Sequence, residues 1–244
     1  MSILKADLNA AELRVAALLA HDAPWLAAFA AGESPHDQNA QALFGYPVGK
    51  DSDERKFAKA FVFRYIYTPP DKPPSMDPGA LRLSKVALAP SMLQVFGEKL
   101  NASHAMLMLW KQTQLANLHA TGIVSNAYGR FRDLRWALAT GDKRWEEHAE
   151  SIALNHPIQT LIGDWMDECL IRVYISLQRS GLWANVIAQR HDELVVECHE
   201  NQVPGVAREL RAAIEQPISV LDNAVIPCEI TAGPTWGEQR EIVL

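Results

Sequence analysis

Three stretches of this chain carry residues whose types and spacing could do chemistry. The first is QRHDELVVECHE, residues 189–200, in which His191, Asp192 and Glu193 stand between two runs of strand character. Adjacent carboxylates repel each other, and a turn needed only to reverse the chain would use Asn-Gly or Asp-Gly. A bound divalent cation gives the pair a reason. The second is KADLNAAELR, where Asp7 closes a short strand-like run and precedes a helix-like one. With the two strands as neighbours in one sheet, Asp7 and Asp192 could hold two Mg²⁺ ions about 3.5 to 4 Å apart, the spacing of two-metal phosphoryl transfer. The third is DERKFAKAFVFRYIY, in which Arg55, Lys59, Phe63 and Tyr67 recur every fourth residue. Four steps of about 100° leave them on one slowly drifting helical stripe about 18 Å long. Its two cations suit a triphosphate and its two rings a base and sugar. Taken singly, each stretch has a plainer explanation: a solvated turn or helix cap for either aspartate, an amphipathic helix with a basic end for the stripe. Their weight lies in occurring together.

The elements that must position these residues follow from periodicity. Ser2 to Leu8 reads as a short strand and residues 12–20 as a helix packed on one side. Residues 22–120 are mainly helical, with Ser34 and Ser103 as expected caps and Gly122 as a stop. Residues 68–79, TPPDKPPSMDPG, hold five prolines in twelve positions and are expected to form a loop or lid. GIVSNAYGRFRDL reads as strand, glycine turn and return. Residues 144–180 are helical again, Pro157 marking a boundary or kink. GLWANVIAQR and ELVVECH are two strands around the acidic pair, followed by a helix VPGVARELRAAIEQ and a last strand AVIPCEITAG. A helical lobe inserted into a small antiparallel α+β lobe fits this order best.

Composition bounds the rest. A chain of 244 residues, 48% hydrophobic, can bury one large core or two modest ones. No apolar run reaches the length of a bilayer span and the N-terminus lacks a signal-peptide layout, so a cytoplasmic protein with no membrane partner is expected. Cys169, Cys198 and Cys228 show no C-x-x-C spacing and read as small buried apolar residues, not as a disulfide framework or zinc site. The net charge of −6 weighs against a naked nucleic-acid binder, although a site that gathers metal ions must itself be acidic.

In this order and spacing, ADLNAAELRV, DERKFAKAFVFRYIYT and HDELVVE resemble motifs A, B and C of family A DNA polymerases, the DNA polymerase I-like group. SPHDQNAQALFG, GIVSNAYGRFRDL, NHPIQTLIGDW and IPCEITAGPTWGE fall where that family would put them. The resemblance implies an antiparallel-sheet palm, residues 1–15 and 122–244, with mostly helical fingers, residues 16–121, inserted. It implies template-directed addition of dNTPs to a primer 3′-hydroxyl with two Mg²⁺ ions, Mn²⁺ being an alternative. By position, Asp7 and Asp192 match the metal-binding aspartates, with the backbone carbonyl of Leu8 as a further ligand and Glu193 as an accessory carboxylate. Arg55, Lys59 and His36 match the residues that grip the incoming triphosphate, Lys59 also being placed to protonate the leaving pyrophosphate. Phe63 matches the ring that packs on the deoxyribose, Tyr67 the ring on the template side, and Glu12 the steric gate against a ribose 2′-hydroxyl. His191, Gln159, Asn155, Arg14 and Arg130 fall where the family contacts primer terminus or duplex DNA.

The chain also departs from the family pattern. Asn9 and Ala10 replace a serine and a glutamine after the motif A aspartate, and Arg64 and Thr68 stand where motif B commonly has glycine. The sequence starts at motif A, without counterparts of the thumb, the exonuclease domain or the upstream palm. From this a distributive enzyme without proofreading is expected, either a small stand-alone form or one completed by a second polypeptide, and a bacteriophage source acting in a bacterial cytoplasm. The competing reading is a non-catalytic DNA-binding or scaffold subunit derived from a polymerase. Loss of the metal ligands would mark it, and Asp7, Lys59 and Asp192 are all present.

Overall fold

A computed structural model of the chain describes residues 1–72, 88 and 90–242. In chain order the described elements are β1 (Ser2–Leu8), α1 (Ala11–Ala20), α2 (Ala23–Ala30), α3 (Pro35–Phe44), α4 (Asp53–Tyr67), α5 (Pro90–Ser103), α6 (Ala105–Thr121), β2 (Ile123–Ser125) and β3 (Phe131–Asp133). After them come α7 (Arg135–Leu138), α8 (Lys143–Ser180), β4 (Ala184–Arg190), β5 (Glu193–Cys198), α9 (Val203–Ile214), β6 (Cys228–Gly233) and β7 (Arg240–Glu241). The fold is α+β with antiparallel strand pairing. Contacts group the chain into two compact units, residues 1–12 with 159–244 and residues 13–158, and the division falls inside α1 and α8.

The first unit is built on a five-stranded sheet in the order β4-β5-β1-β6-β7. Leu4, Ala6 and Leu8 alternate on the buried face of β1, and Lys5 and Asp7 on its open face, the two-residue period of a half-covered antiparallel sheet. Helix α9 packs on β1 and β6. It buries Val206, Ala207, Leu210, Ala213 and Ile214, a spacing that keeps one helical face apolar. Pairing of β4 with β5 slips between Val186 and Ala188, leaving Ile187 as an extra residue in the edge strand. Of the strand expected over residues 224–233, Cys228–Gly233 forms a strand, while Ala224 makes a single bridge to Ile218. Pro227 has no N–H for a ladder, and its carbonyl accepts from Asn9 N at 2.9 Å.

The second unit is helical with the two-stranded hairpin β2–β3. Ser34 caps α3, its hydroxyl accepting from Asp37 N, and Ser52 caps α4, accepting from Arg55 N at 3.1 Å. The expected Ser103 cap is corrected. α5 runs to Ser103 and the N-cap of α6 is His104, which makes no side-chain capping bond. Its Nδ1 instead lies 2.9 Å from Asp22 Oδ1, a buried carboxylate already engaged as the cap of α2. Gly122 does end α6, at φ 70°, and a Cβ there would meet Arg135 Cγ at 2.2 Å, so the stop depends on glycine for conformation and for space. α8 continues unbroken through Pro157, which therefore marks no helix end. Cys169, Cys198 and Cys228 are buried and unbridged, their thiols pushed up to about 12, 11 and 12 mainly by burial. Among the described residues no helix is long and apolar enough to cross a membrane. The expected Pro-rich loop lies outside the described residues beyond Lys72.

Candidate active site

In the first unit, β1 sits between β5 and β6, so its open-face residues have neighbours on both sides. Asp7 is directly opposite Glu193 on β5. Asp192 precedes it in a two-residue loop, His191–Asp192, and the Asp192 carbonyl accepts from Leu8 N at 3.0 Å. The loop fits a hairpin of the kind with positive φ at its first position, His191 having φ 51°. His191 is thus in a conformation that costs a non-glycine residue about 1 kcal/mol, and strain of this kind is often kept at functional sites. Only two residues lie in the loop, so Glu193 begins β5, as the strand reading of ELVVECH expected. Lys5 Nζ lies 3.7 Å from Glu193 Oε2.

The donor set at this edge is carboxylate and backbone carbonyl oxygen, the ligand type of Mg²⁺ and Mn²⁺ and not of soft metals. Asp7 is exposed, and Asp192 and Glu193 are half-buried, so an ion here could keep part of its water shell. Glu12, in the first turn of α1, and Gln159, on α8, belong to the same unit and are half-buried.

In the second unit, α4 buries Phe57, Ala58, Phe61, Val62, Tyr65 and Ile66. That apolar face leaves Arg55, Lys59, Phe63 and Tyr67 on another side, with Lys59 exposed and the other three half-buried. Asp53 and Glu54 in the first turn and Arg64 in the last suit the helix dipole. α3 packs along α4 and contributes His36, whose ring lies edge-on to Phe63 with centroids 5.5 Å apart. Lys59 Nζ is 5.6 Å from the Phe63 ring centroid. Asp37, beside His36, forms an ion pair with Arg55 Nε. His36, Arg55, Lys59 and Phe63 therefore gather in one place.

His36 is buried at 5% exposure, and neither ring nitrogen has a hydrogen-bond partner among the described residues. Burial, then the charges of Lys59 and Arg55, push its pKa down to about 4, with Asp37 opposing. The imidazole is neutral at pH 7, with an N–H to donate beside two cations.

The remaining sequence-predicted residues of this unit lie elsewhere in it. The Arg14 guanidinium sits over the Phe29 ring, 4.0 Å from the centroid, its pKa lowered by burial. Arg130 is the last residue of the β2–β3 loop, where Asn126 Oδ1 accepts from Tyr128 N and Arg130 N, each at 3.0 Å. The His156 ring nitrogen lies 3.1 Å from the Arg130 carbonyl oxygen, tying that loop to α8, which also carries half-buried Asn155.

Sequence reasoning passed over Lys5, Asp37 and Glu229. Asp37 was legible as a charge beside His36, but the partner it takes, Arg55, lies eighteen residues on. Glu229 was legible as an acid alternating with Cys228 and Ile230, but its place opposite Asp7 depends on strand order.

The sequence model of DNA polymerase family A matches residues 1–238. DNA polymerase I of Chloroflexus aurantiacus is 30% identical over 98% of this chain and 24% of its own length. That of Pseudomonas aeruginosa is 30% identical over 97% and 25%, and the thermostable DNA polymerase I of Thermus aquaticus is 28% identical over 96% and 27%. The chain thus spans about a quarter of the length of these relatives. Among solved structures, the POL domain of Pol1 from M. smegmatis, in complex with DNA primer-template and dNTP, shares the fold at a TM-score of 0.75 and 23% identity, over 96% of this chain and 39% of that one. A match that runs through all three chemical stretches and nearly the whole sequence places this chain in DNA polymerase family A.

Proposed function

We propose that the chain is the nucleotidyl-transfer portion of a DNA-directed DNA polymerase, acting on primer-template DNA and dNTPs. The observation that carries the reading is the register of β1 and β5, which sets Asp7 opposite Glu193 with Asp192 in the adjoining loop. Asp7, Asp192 and the Leu8 carbonyl are the residues we assign to two divalent ions, Mg²⁺ or Mn²⁺, with Glu193 as an accessory carboxylate. Bound there, the ions would make the primer 3′-hydroxyl more acidic and neutralise charge on the departing pyrophosphate. On this reading the first unit is the palm and most of the helical unit the fingers.

The side chains have separate tasks. Arg55 and Lys59 grip the triphosphate, and their fixed positive charge favours the charge that builds on the leaving group. Lys59 holds a proton at Nζ for the pyrophosphate oxygen. Neutral His36 donates one hydrogen bond to the same group without adding a third cation. Phe63 packs on the deoxyribose, Tyr67 on the template side, and Glu12 excludes a 2′-hydroxyl by bulk. His191, Gln159, Asn155, Arg14 and Arg130 hold the primer end and duplex. Base choice is left to pairing with the template.

Template-directed incorporation tests this reading. On a short primed duplex with each dNTP supplied singly, only the complement of the templating base should be added, and the matching ribonucleotide should be refused. Binding of the duplex with no incorporation would favour the scaffold reading instead. Incorporation that ignores the template would contradict both. Product lengths in the same assay, with and without an added upstream segment, measure the expected distributive mode and the expected need for a second polypeptide.

A further inference from the structure

Glu229 on β6 stands directly opposite Asp7, as Glu193 does from β5 on the other side. Opposed residues of an antiparallel pair point to one face, with Cα atoms about 4.5 to 5.5 Å apart. Glu193, Asp7 and Glu229 therefore form a row of three carboxylates across three adjacent strands. Like charges directly opposite one another destabilise a sheet, so each end of the row calls for a partner.

The two ends are treated differently. Glu193 is met by a charge, the Lys5 ammonium at 3.7 Å. Glu229 is met by a neutral amide, Asn9 Nδ2 donating to its Oε1 at 2.7 Å. Asn9 is itself fixed by its backbone N–H to the Pro227 carbonyl at 2.9 Å. An amide sets the direction of a carboxylate and leaves its charge in place. Glu229 is thus aimed by that bond, beside Asp7 on the side away from Glu193.

We propose that Glu229 is a positioning residue for the divalent-ion site, its Asn9-held carboxylate accepting hydrogen bonds from water on an ion bound at Asp7. This rests on the assignment of Asp7 and Asp192 as ion ligands. Mg²⁺ and Mn²⁺ keep several waters when held by few carboxylates, and groups that orient such ligands strongly affect affinity.

Mn²⁺ binding, read by the electron paramagnetic resonance of the unbound ion, tests the proposal on wild type, Glu229→Gln, Asn9→Ala and Asp192→Asn, beside thermal unfolding without metal. Glu229→Gln keeps an oxygen for Asn9 and removes only the charge. Its Kd for Mn²⁺ should rise about tenfold, while its metal-free Tm holds or increases because repulsion in the row is relieved. Asn9→Ala should raise Kd by less. A merely structural role would lower the metal-free Tm of Glu229→Gln, and that result would overturn the proposal. So would a Kd within twofold of wild type while Asp192→Asn binds weakly. Mn²⁺ binding unaffected by Asp192→Asn would instead sink the ion site, and this inference with it.

Discussion

A buried imidazole with no hydrogen-bond partner for either nitrogen among the described residues is unfavourable to folding, and His36 is such a group. Its pKa of about 4 in the folded chain lies below the usual 6.5, so between those values the unfolded chain binds more protons. Stability should therefore rise as pH increases from about 4 to 6.5, by on the order of 3 kcal/mol from this residue. Denaturant unfolding of wild type and His36→Phe over that range checks it: the variant should show a shallower rise, and an equal rise would contradict the buried, neutral assignment. At this scale the sequence was informative where spacing alone sets proximity. Arg55, Lys59, Phe63 and Tyr67 could be assigned to one stripe because helical geometry fixes it. His36 reached the same cluster only through likeness to the family, since its contact with Phe63 spans two helices. Asn9 looked like a lost contact, and its bond to Glu229 joins residues 220 positions apart.

At the scale of elements, the C-terminal end of α4 depends on a residue no pattern singled out. Lys111 of α6 is buried at 1% exposure, and its Nζ donates to the Tyr65 carbonyl at 2.8 Å. A cation at a helix C-terminus is favourable, but burial pushes this pKa down to about 7. Between about 7 and the usual 10.5 the unfolded chain carries the extra proton, so stability should increase with pH across that window. Lys111→Met should flatten that rise, as measured by Tm at pH 7 and pH 9. It should also raise Tm at pH 7 if the desolvated charge outweighs its bond. An unchanged pH dependence would mean that Lys111 is solvated. Apolar periodicity could not reveal this residue, because a lysine on the buried face of a helix reads as a break in the face. The same limit applies to Ser103. A serine before an apolar run signals a cap, yet His104 takes the place because Asp22, eighty-two residues away, holds its ring.

For the molecule as a whole, the antiparallel α+β class was legible, because strand and helix periods alternate in blocks that only a few topologies satisfy. Strand order was not. Nothing local to Ser2–Leu8 tells that it lies between β5 and β6, and that position is what surrounds Asp7 with acids. The measurement that tests this account most directly is primer extension with Mg²⁺ and dNTPs by wild type and by Asp192→Asn, each verified as folded. Loss of the ion ligand proposed at Asp192 should slow extension roughly 1,000-fold or more, about 4 kcal/mol in the barrier. Extension by Asp192→Asn at the wild-type rate would place the chemistry somewhere other than the β1–β5 register and contradict the account.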